Sequence, residues 1–145
     1  MFENYKYIKK NNGFIYKDHK AEMNLPTPNL LGEFQISNVS TAINVVRNLN
    51  QFKVSESHIE KAITNIKSEG RLQFITEGNL RKYVSNNNQI LIDGAHNTLA
   101  ASAVIKYLES FNKDKKIIMI LGMMANKEHK KFIKKFKGKI KLIIA

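Results

Sequence analysis

The first thirty residues alternate between apolar and polar positions in short runs, as strands joined by tight turns do. Two such runs, 5–9 and 14–17, flank an Asn-Asn-Gly sequence at 11–13, and these residue types accept the positive φ of a hairpin turn. We therefore predict a β-hairpin here. Pro26 and Pro28 then confine the chain to extended or turn conformations.

From residue 39 the apolar residues recur at the spacing of a helix. One stripe starts at Val39 and another at Ile59, and each predicts an amphipathic helix. Ser57 and Glu60 have the spacing of a capping box, which predicts the start of the second helix, and we expect this helix to end near Ser68. The stripes comprise Val39, Ala42, Ile43, Val46 and Leu49, and then Ile59, Ala62, Ile63 and Ile66.

The second half of the chain contains short apolar runs separated by amphipathic segments. Residues 90–92, 117–121 and 140–144 are predicted strands, with a helix between each pair, the second over 127–137. This order is typical of right-handed crossovers in a parallel sheet, and the apolar strands predict a sheet covered on both faces. We expect an α/β fold with a domain boundary at about 68–71. The first of these helices carries Ala101, Val104, Ile105, Leu108 and Phe111.

The sequence stops at Ala145, directly after the last predicted strand. Three strands alone would leave apolar edges and an incompletely covered sheet face, which native proteins avoid. We therefore expect this chain to be an interior segment of a longer protein.

The composition excludes several kinds of chemistry. The 145 residues contain no cysteine, so disulfides, thiolate metal sites and thiol nucleophiles are excluded together. The apolar runs are far shorter than the roughly 20 residues that cross a bilayer, and the N-terminal sequence does not resemble a secretory signal. We expect a cytoplasmic protein that does not bind membranes.

The net charge of +12 suggests a nucleic acid as one alternative partner. Only three of the 24 basic residues are arginine, however, and nucleic-acid-binding proteins usually carry arginine for forked contacts to phosphates and bases. The lysine-rich segment 127–139 has apolar residues at helical spacing, so an amphipathic helix with a solvated lysine face explains it better. We expect no nucleic-acid partner.

Asp93 is the most informative candidate for chemistry. It follows the predicted strand 90–92, and ligands of open α/β sheets bind outside the carboxyl ends of the strands. Its carboxylate could accept hydrogen bonds from both hydroxyls of a ribose, and His96 adds a group that changes charge near neutral pH. An Asp-Gly turn, with Asn97 or Thr98 as the N-cap of the next helix, explains the same residues equally well.

Arg71 is the second candidate, because it lies at the predicted domain boundary, where ligand clefts tend to form. Its guanidinium could bind a phosphate through two parallel hydrogen bonds, or it could pair with Glu69 or Glu77 at the surface.

Gln35 and Asn38, directly before the first predicted helix, are the third candidate. Their side-chain amides can both donate and accept, as recognition of an adenine edge requires, although such residues more often cap helices. No histidine has a partner at metal-ligand spacing, so we predict no metal site in this chain. Two glycine-rich sequence patterns that bind phosphates, GxGxxG and GxxxxGK followed by Ser or Thr, are both absent from the sequence.

Four segments, taken in order, resemble the folylpolyglutamate synthase and dihydrofolate synthase family of Mur-type ATP-dependent ligases. The resemblance extends over roughly residues 25–145. The segments are LLGEFQISNVSTAI (30–43), GRLQ (70–73), ILIDGAHNTLAA (90–101) and LGMMANKE (121–128).

This resemblance implies a fold and an activity. Residues 1–69 would be the tail of the central Mur-ligase-type ATPase domain, and residues 70–145 the first part of an incomplete, Rossmann-like, parallel-sheet C-terminal domain. The enzyme would join L-glutamate to folate or dihydropteroate, using ATP and Mg²⁺, through an acyl phosphate. A peptidoglycan-precursor ligase of the Mur type is the alternative within the superfamily. The complete protein is expected to be a monomer.

The resemblance also implies a role for each candidate residue. Gln35 and Asn38 would hold the adenine, Arg71 the ATP phosphates and Asp93 the ribose, while His96 would be a catalytic residue facing the nucleotide or the glutamate. We expect Arg71 and Asp93 to face each other across a cleft between the domains. The phosphate loop and the magnesium ligands of the family lie outside this chain, so we expect the chain alone to be inactive.

Overall fold

A computed structural model describes residues 4–111 and 116–145. The chain divides into two compact units, Met1–Arg71 and Leu72–Ala145. The first unit contains β1 (Lys6–Lys10), β2 (Gly13–Lys17), β3 (Glu22–Leu25), α1 (Phe34–Arg47) and α2 (Glu56–Asn65). The second contains β4 (Gln73–Ile75), a 3₁₀ helix (Asn79–Tyr83), β5 (Ile90–Ile92), α3 (Thr98–Phe111), β6 (Ile118–Ile120), α4 (His129–Lys135) and β7 (Leu142–Ile144).

The first unit is built on an antiparallel sheet in the order β1-β2-β3, which confirms the predicted hairpin. Gly13 begins β2 with a φ of +150°, and a Cβ at this position would lie 2.1 Å from the carbonyl oxygen of Leu25. Only glycine therefore fits where β2 and β3 meet.

One face of this sheet packs against the two helices. Phe14 and Tyr16 alternate toward the core on β2, and their side chains are almost completely buried. Residues spaced three and four apart on each helix cover them, as expected for amphipathic helices. The buried cluster comprises Phe14, Tyr16, Met23, Leu25, Ile36, Val39, Ile43, Ile59 and Ile63.

Helix α1 begins at Phe34, five residues earlier than its apolar stripe predicts. Polar residues in the first turns interrupt the apolar pattern, which is why the pattern does not predict this start. Gln35 and Asn38 therefore lie inside the helix, and the prediction that they precede it is wrong. Ala42, predicted on the buried stripe, is exposed, and Leu49 lies beyond the end of the helix.

The N-cap of α2 is Ser55, so the predicted Ser57–Glu60 capping box is wrong. The Ser55 Oγ accepts a hydrogen bond from the His58 N–H at 3.3 Å, and the Ser55 N–H donates to His58 Nδ1 at 3.3 Å. The usual capping-box pattern has glutamate or glutamine where His58 stands, so the motif was not recognised. The helix ends at Asn65, before Ser68, because Ile66 adopts an extended conformation.

We expect the Ser55→Ala substitution to destabilise the first unit by about 1 kcal/mol, because a helix-terminal N–H loses its acceptor. Exposed Ser68, in the same unit but outside the helix, is the matched control, and Ser68→Ala should cost less than about 0.5 kcal/mol. Urea unfolding, followed through amide resonances of the first unit, measures both. Equal losses for the two variants would show that Ser55 is not the cap.

Asp18, directly after β2, and Arg47, the last residue of α1, form a buried ion pair. The exposed fractions of their side chains are 1% and 13%, and Arg47 Nε and Nη2 lie 2.6 and 3.1 Å from the carboxylate oxygens. The Lys20 and Ala21 N–H groups also donate to Asp18. Burial opposes ionisation of Asp18, but these hydrogen bonds outweigh it and hold the pKa of the carboxyl well below its usual range.

This lowered pKa predicts a loss of stability in acid. The pKa of Asp18 is lower in the folded than in the unfolded chain, so the ionised carboxylate stabilises the fold above about pH 4 and this contribution disappears as the pH falls further. We expect the free energy of unfolding to decline below about pH 4, and to decline less steeply in Asp18→Asn. Urea unfolding at a series of pH values tests this, and identical slopes for the two proteins would contradict it.

The second unit has small mixed sheets in its described residues, and its α/β character agrees with the prediction. Strands β6 and β7 pair in parallel across α4, as predicted. Strand β5 instead pairs antiparallel with β4, a strand of three residues that is too short for its periodicity to be recognised. The prediction that the three strands form a single parallel sheet is therefore wrong for the described residues.

Helices α3 and α4 pack on one face of the β6–β7 pair. Phe132 and Phe136 are buried there with Ala101, which confirms the amphipathic character predicted for the lysine-rich segment. The opposite face is not covered, so the prediction of a sheet buried on both sides is wrong within the described residues. Its exposed side chains are Ile118, Ile120, Leu142 and Ile144. The side chain of Phe111, predicted on the apolar stripe of α3, lies outside the described residues.

No helix in the described ranges is both long and apolar enough to cross a membrane.

Candidate functional site

Asp93 lies immediately after β5, where the chain turns toward α3. Its side chain is partly buried, and each carboxylate oxygen accepts one backbone hydrogen bond: Oδ1 from the Ala95 N–H at 2.8 Å and Oδ2 from the Leu72 N–H at 2.9 Å. A carboxylate oxygen can accept a second hydrogen bond, so both retain a lone pair for a ligand hydroxyl. The carboxylate is therefore held in place and can still accept hydrogen bonds from a diol.

Leu72 was not among the predicted site residues. Its φ of 45° is left-handed, although its side chain is almost completely buried. A branched, bulky residue in this region costs on the order of 1–3 kcal/mol and persists only where its surroundings enforce it. Nothing in the sequence indicates this conformation, because leucine has no preference for it.

Asn97 is the N-cap of α3, one of the two alternatives considered from the sequence. Its Oδ1 accepts a hydrogen bond from the Ala100 N–H at 2.8 Å, and its carbonyl oxygen accepts one from the Ala101 N–H at 2.9 Å. The helix start therefore follows Asp93 closely, as predicted. Because Asn97 caps the helix, the Asp93 side chain is not needed for capping. An Asp-Gly turn followed by a capped helix is therefore compatible with a ligand role for Asp93.

His96 is exposed and belongs to the same loop. Its Nδ1 lies 3.0 Å from the carbonyl oxygen of Gly94. A carbonyl oxygen can only accept a hydrogen bond, so Nδ1 is the donor in this contact. The loop thus presents a carboxylate and an imidazole nitrogen three residues apart.

Arg71 is exposed, directly before Leu72 in the chain. Within the part of the chain that the structure describes, its guanidinium forms no ion pair, so the alternative of a surface pair with Glu69 or Glu77 is not observed. Its five donors are therefore available to a ligand. The expectation that Arg71 and Asp93 clasp one nucleotide stays a prediction.

Gln35 and Asn38 lie one helical turn apart on α1, and the Asn38 amide donates to Gln35 Oε1 at 2.9 Å. Neither residue caps the helix, whose N-cap is Glu33. The hydrogen bond leaves one amide nitrogen, of Gln35, and one carbonyl oxygen, of Asn38, for other partners. Such a donor and acceptor pair matches an adenine edge, although the Gln35 side chain is largely buried.

The structure thus groups the candidates in two places, one in each unit. Asp93 and His96 share a loop in the second unit, and Gln35 and Asn38 are joined in the first. A cavity of about 630 Å³ beside the hairpin turn is lined by residues such as Lys10 and Asn24, and by none of the predicted site residues. In residues 4–111 and 116–145, no three histidine or carboxylate side chains are close enough together to hold a metal ion.

Comparison with protein-family models gives one match over much of the chain. Residues 70–145 match the family described as "Mur ligase, glutamate ligase domain". This is more than half of the chain, and it contains Arg71, Asp93 and His96. None of the curated proteins compared with the chain is a significant match.

Solved structures share the fold over nearly the whole chain. E. coli FolC in complex with DHPP and ADP is 22% identical, with a TM-score of 0.77 over 96% of this chain and 30% of that one. A bifunctional folylpolyglutamate synthase/dihydrofolate synthase with Mn, AMPPNP and L-glutamate bound is 21% identical, with a TM-score of 0.76 over 96% and 30%. Folylpolyglutamate synthase from Thermotoga maritima is 19% identical, with a TM-score of 0.67 over 96% and 32%. The chain therefore spans about 30% of the length of these structures.

Proposed function

Because this chain belongs to the Mur ligase family of ATP-dependent amino-acid ligases, we propose that it is part of an enzyme that joins L-glutamate to folate or dihydropteroate. The observation that carries the proposal is the anchored Asp93 carboxylate between Leu72 and the start of α3, inside the matched glutamate ligase domain. The similarity in fold to folylpolyglutamate synthases supports the folate branch of the family.

The candidate residues of the segment 70–145, which matches the glutamate ligase domain, suit the handling of a nucleotide. Asp93 would accept hydrogen bonds from the ribose hydroxyls, and the Arg71 guanidinium would bind the phosphates through two parallel hydrogen bonds. Positive charge at the phosphates stabilises the negative charge that develops during phosphoryl transfer. His96 would act beside them through Nε2, toward either the nucleotide or the incoming glutamate amine.

Gln35 and Asn38 would hold the adenine with the donor and acceptor that their mutual hydrogen bond leaves over. Residues 1–69 would then form the end of the central ATP-binding domain, and residues 70–145 the beginning of the C-terminal domain.

Transfer of a phosphoryl group from bound ATP to the substrate carboxylate would leave ADP and an acyl phosphate. Attack by the glutamate amine would then form the amide bond and release inorganic phosphate and a proton. By resemblance to the family, the magnesium ligands would lie outside this chain. The chain's own residues would bind and orient the nucleotide. We therefore expect no ligase activity from the chain alone, and a monomeric, cytoplasmic enzyme when it is complete.

Titration of the isotopically labelled chain with ADP tests the nucleotide site. We expect amide shifts to concentrate at residues 70–73 and 93–98, and ADP to bind at least about tenfold more weakly to Arg71→Met, because an arginine–phosphate pair is charge-assisted. Arg81→Met is the matched control and should bind ADP like the unaltered chain. Shifts confined to the lysines of α4, or equal affinities for the two variants, would contradict the proposal.

The substrate branch requires a complete protein that contains this chain. We expect ATP-dependent ligation of glutamate with dihydropteroate or tetrahydrofolate, and none with cell-wall precursors. Ligation of the cell-wall precursor alone would assign the protein to the other branch of the family.

A further inference from the structure

The peptide group between Arg71 and Leu72 forms its hydrogen bond with a side chain. At this position, beside the end of β4, a backbone carbonyl of the neighbouring strand would be the usual partner. The N–H of this peptide group, on Leu72, donates to Asp93 Oδ2 at 2.9 Å. The other oxygen of the same carboxylate is tied to its own loop through the Ala95 N–H at 2.8 Å. The carboxylate therefore joins two backbone segments that are 21 residues apart.

Strand register explains why these two residues meet. In the antiparallel pair of β4 and β5, Gln73 lies opposite Ile92, so Leu72 and Asp93 are the next residues at that end. The left-handed φ of Leu72 turns the chain away from the strand direction there. The Asp93 side chain accepts the hydrogen bond at the position where the main-chain pairing stops.

Arg71 lies between two residues with left-handed backbones, Gly70 with a φ of 67° and Leu72 with a φ of 45°. Glycine adopts this region readily, whereas leucine needs its surroundings to enforce it. The buried Leu72 side chain and the hydrogen bond to Asp93 both restrain this conformation. A turn fixed on its C-terminal side determines where the Arg71 side chain leaves the backbone.

We propose that Asp93 is a positioning residue for Arg71: its carboxylate fixes the Arg71–Leu72 peptide and so holds the guanidinium ready for the phosphates of a nucleotide. This inference rests on the proposed function and extends it, because it gives Asp93 a second role besides the ribose contact. Loss of the Leu72 hydrogen bond should weaken phosphate binding while the ribose contact remains.

The test removes only the hydrogen-bond donor. Incorporation of leucic acid at position 72 replaces the N–H by an ester oxygen and keeps the leucine side chain, and the same replacement at exposed Leu80 is the control. Affinities for ADP and for adenosine are measured by amide-shift titration. We expect the ester at 72 to weaken ADP binding about tenfold and leave adenosine binding unchanged, and the ester at 80 to change neither. In an Arg71→Met background the ester at 72 should have no further effect.

Hydrogen exchange gives a reading that needs no ligand. We expect the Leu72 amide to exchange about tenfold or more faster in Asp93→Ala than in the unaltered chain, while the amides of β2 exchange at the same rate in both. An unprotected Leu72 amide in the unaltered chain would overturn the positioning role. An ester effect that is equal for ADP and adenosine, or that persists without Arg71, would also overturn it. Failure of the unaltered chain to bind ADP would instead overturn the nucleotide-binding role proposed for this chain.

Discussion

Replacing Arg47 with methionine should destabilise the first unit by about 3–5 kcal/mol. Methionine has a similar length but no charge, so the Asp18 carboxylate would remain buried with two N–H donors and the Tyr16 hydroxyl but without a counter-ion. Burial and the neighbouring Asp18 charge raise the pKa of Tyr16 well above its usual range, so the phenol stays protonated and donates to the carboxylate without supplying a positive charge. The large cost reflects an uncompensated buried charge.

Lys17→Met is the matched control, because Lys17 pairs with Glu22 on the surface, where both side chains are about half exposed. Such a pair contributes at most about 1 kcal/mol. In the double variant Asp18→Asn with Arg47→Met, the charge is removed together with its partner, so we expect a smaller loss than in Arg47→Met alone. Urea unfolding read from the amides of β2 reports on the first unit alone. A loss below about 1 kcal/mol for Arg47→Met would contradict the buried-pair description.

Phe14→Ala should cost the first unit about 3–5 kcal/mol. The Phe14 side chain is 1% exposed and belongs to the cluster that joins the sheet to α1 and α2, so its loss leaves a cavity in addition to the lost transfer free energy. The neighbouring Gly13 is packed against the Leu25 carbonyl, which limits how far β2 can move to fill the space.

Phe52→Ala is the control for Phe14→Ala, since it is the same substitution in the same unit at a side chain that is 64% exposed. We expect it to cost less than about 1 kcal/mol. The same amide-resolved unfolding experiment compares the two. Similar losses in both variants would show that the cluster around Phe14 does not hold the first unit together.

Local patterns in the sequence correctly predicted those parts of the fold that depend on near neighbours. The hairpin at the start follows from alternation and from an Asn-Asn-Gly turn. Apolar spacing correctly identifies the central buried residues of α1 and α2, although Ala42 and Ala62, predicted on the same stripes, are exposed. Errors arose where a boundary depends on polar residues. The start of α1 is not predicted, because Gln35 and the polar residues near it interrupt the apolar spacing. The capping box of α2 is not predicted, because His58 stands where the usual motif has an acidic or amide side chain.

The candidate site was only partly predictable for a similar reason. Asp93 and Arg71 are identifiable by residue type and by their position beside a strand end and a boundary. Leu72 is not, because its left-handed backbone and its hydrogen bond to Asp93 depend on how β4 pairs with β5. That pairing is antiparallel and involves three residues per strand, which is below the length at which periodicity is informative.

The sequence by itself determined the α/β class, the amphipathic helices and the motifs that place the chain in its family, because each of these is written in residues close together along the chain. Only the tertiary structure decided that Asp18 is neutralised by Arg47, that Asp93 holds the Leu72 peptide, and that one face of β6 and β7 is uncovered. The physical reason is that such contacts join residues 21 to 29 positions apart, and their existence depends on strand register and on packing between elements, which no local pattern encodes.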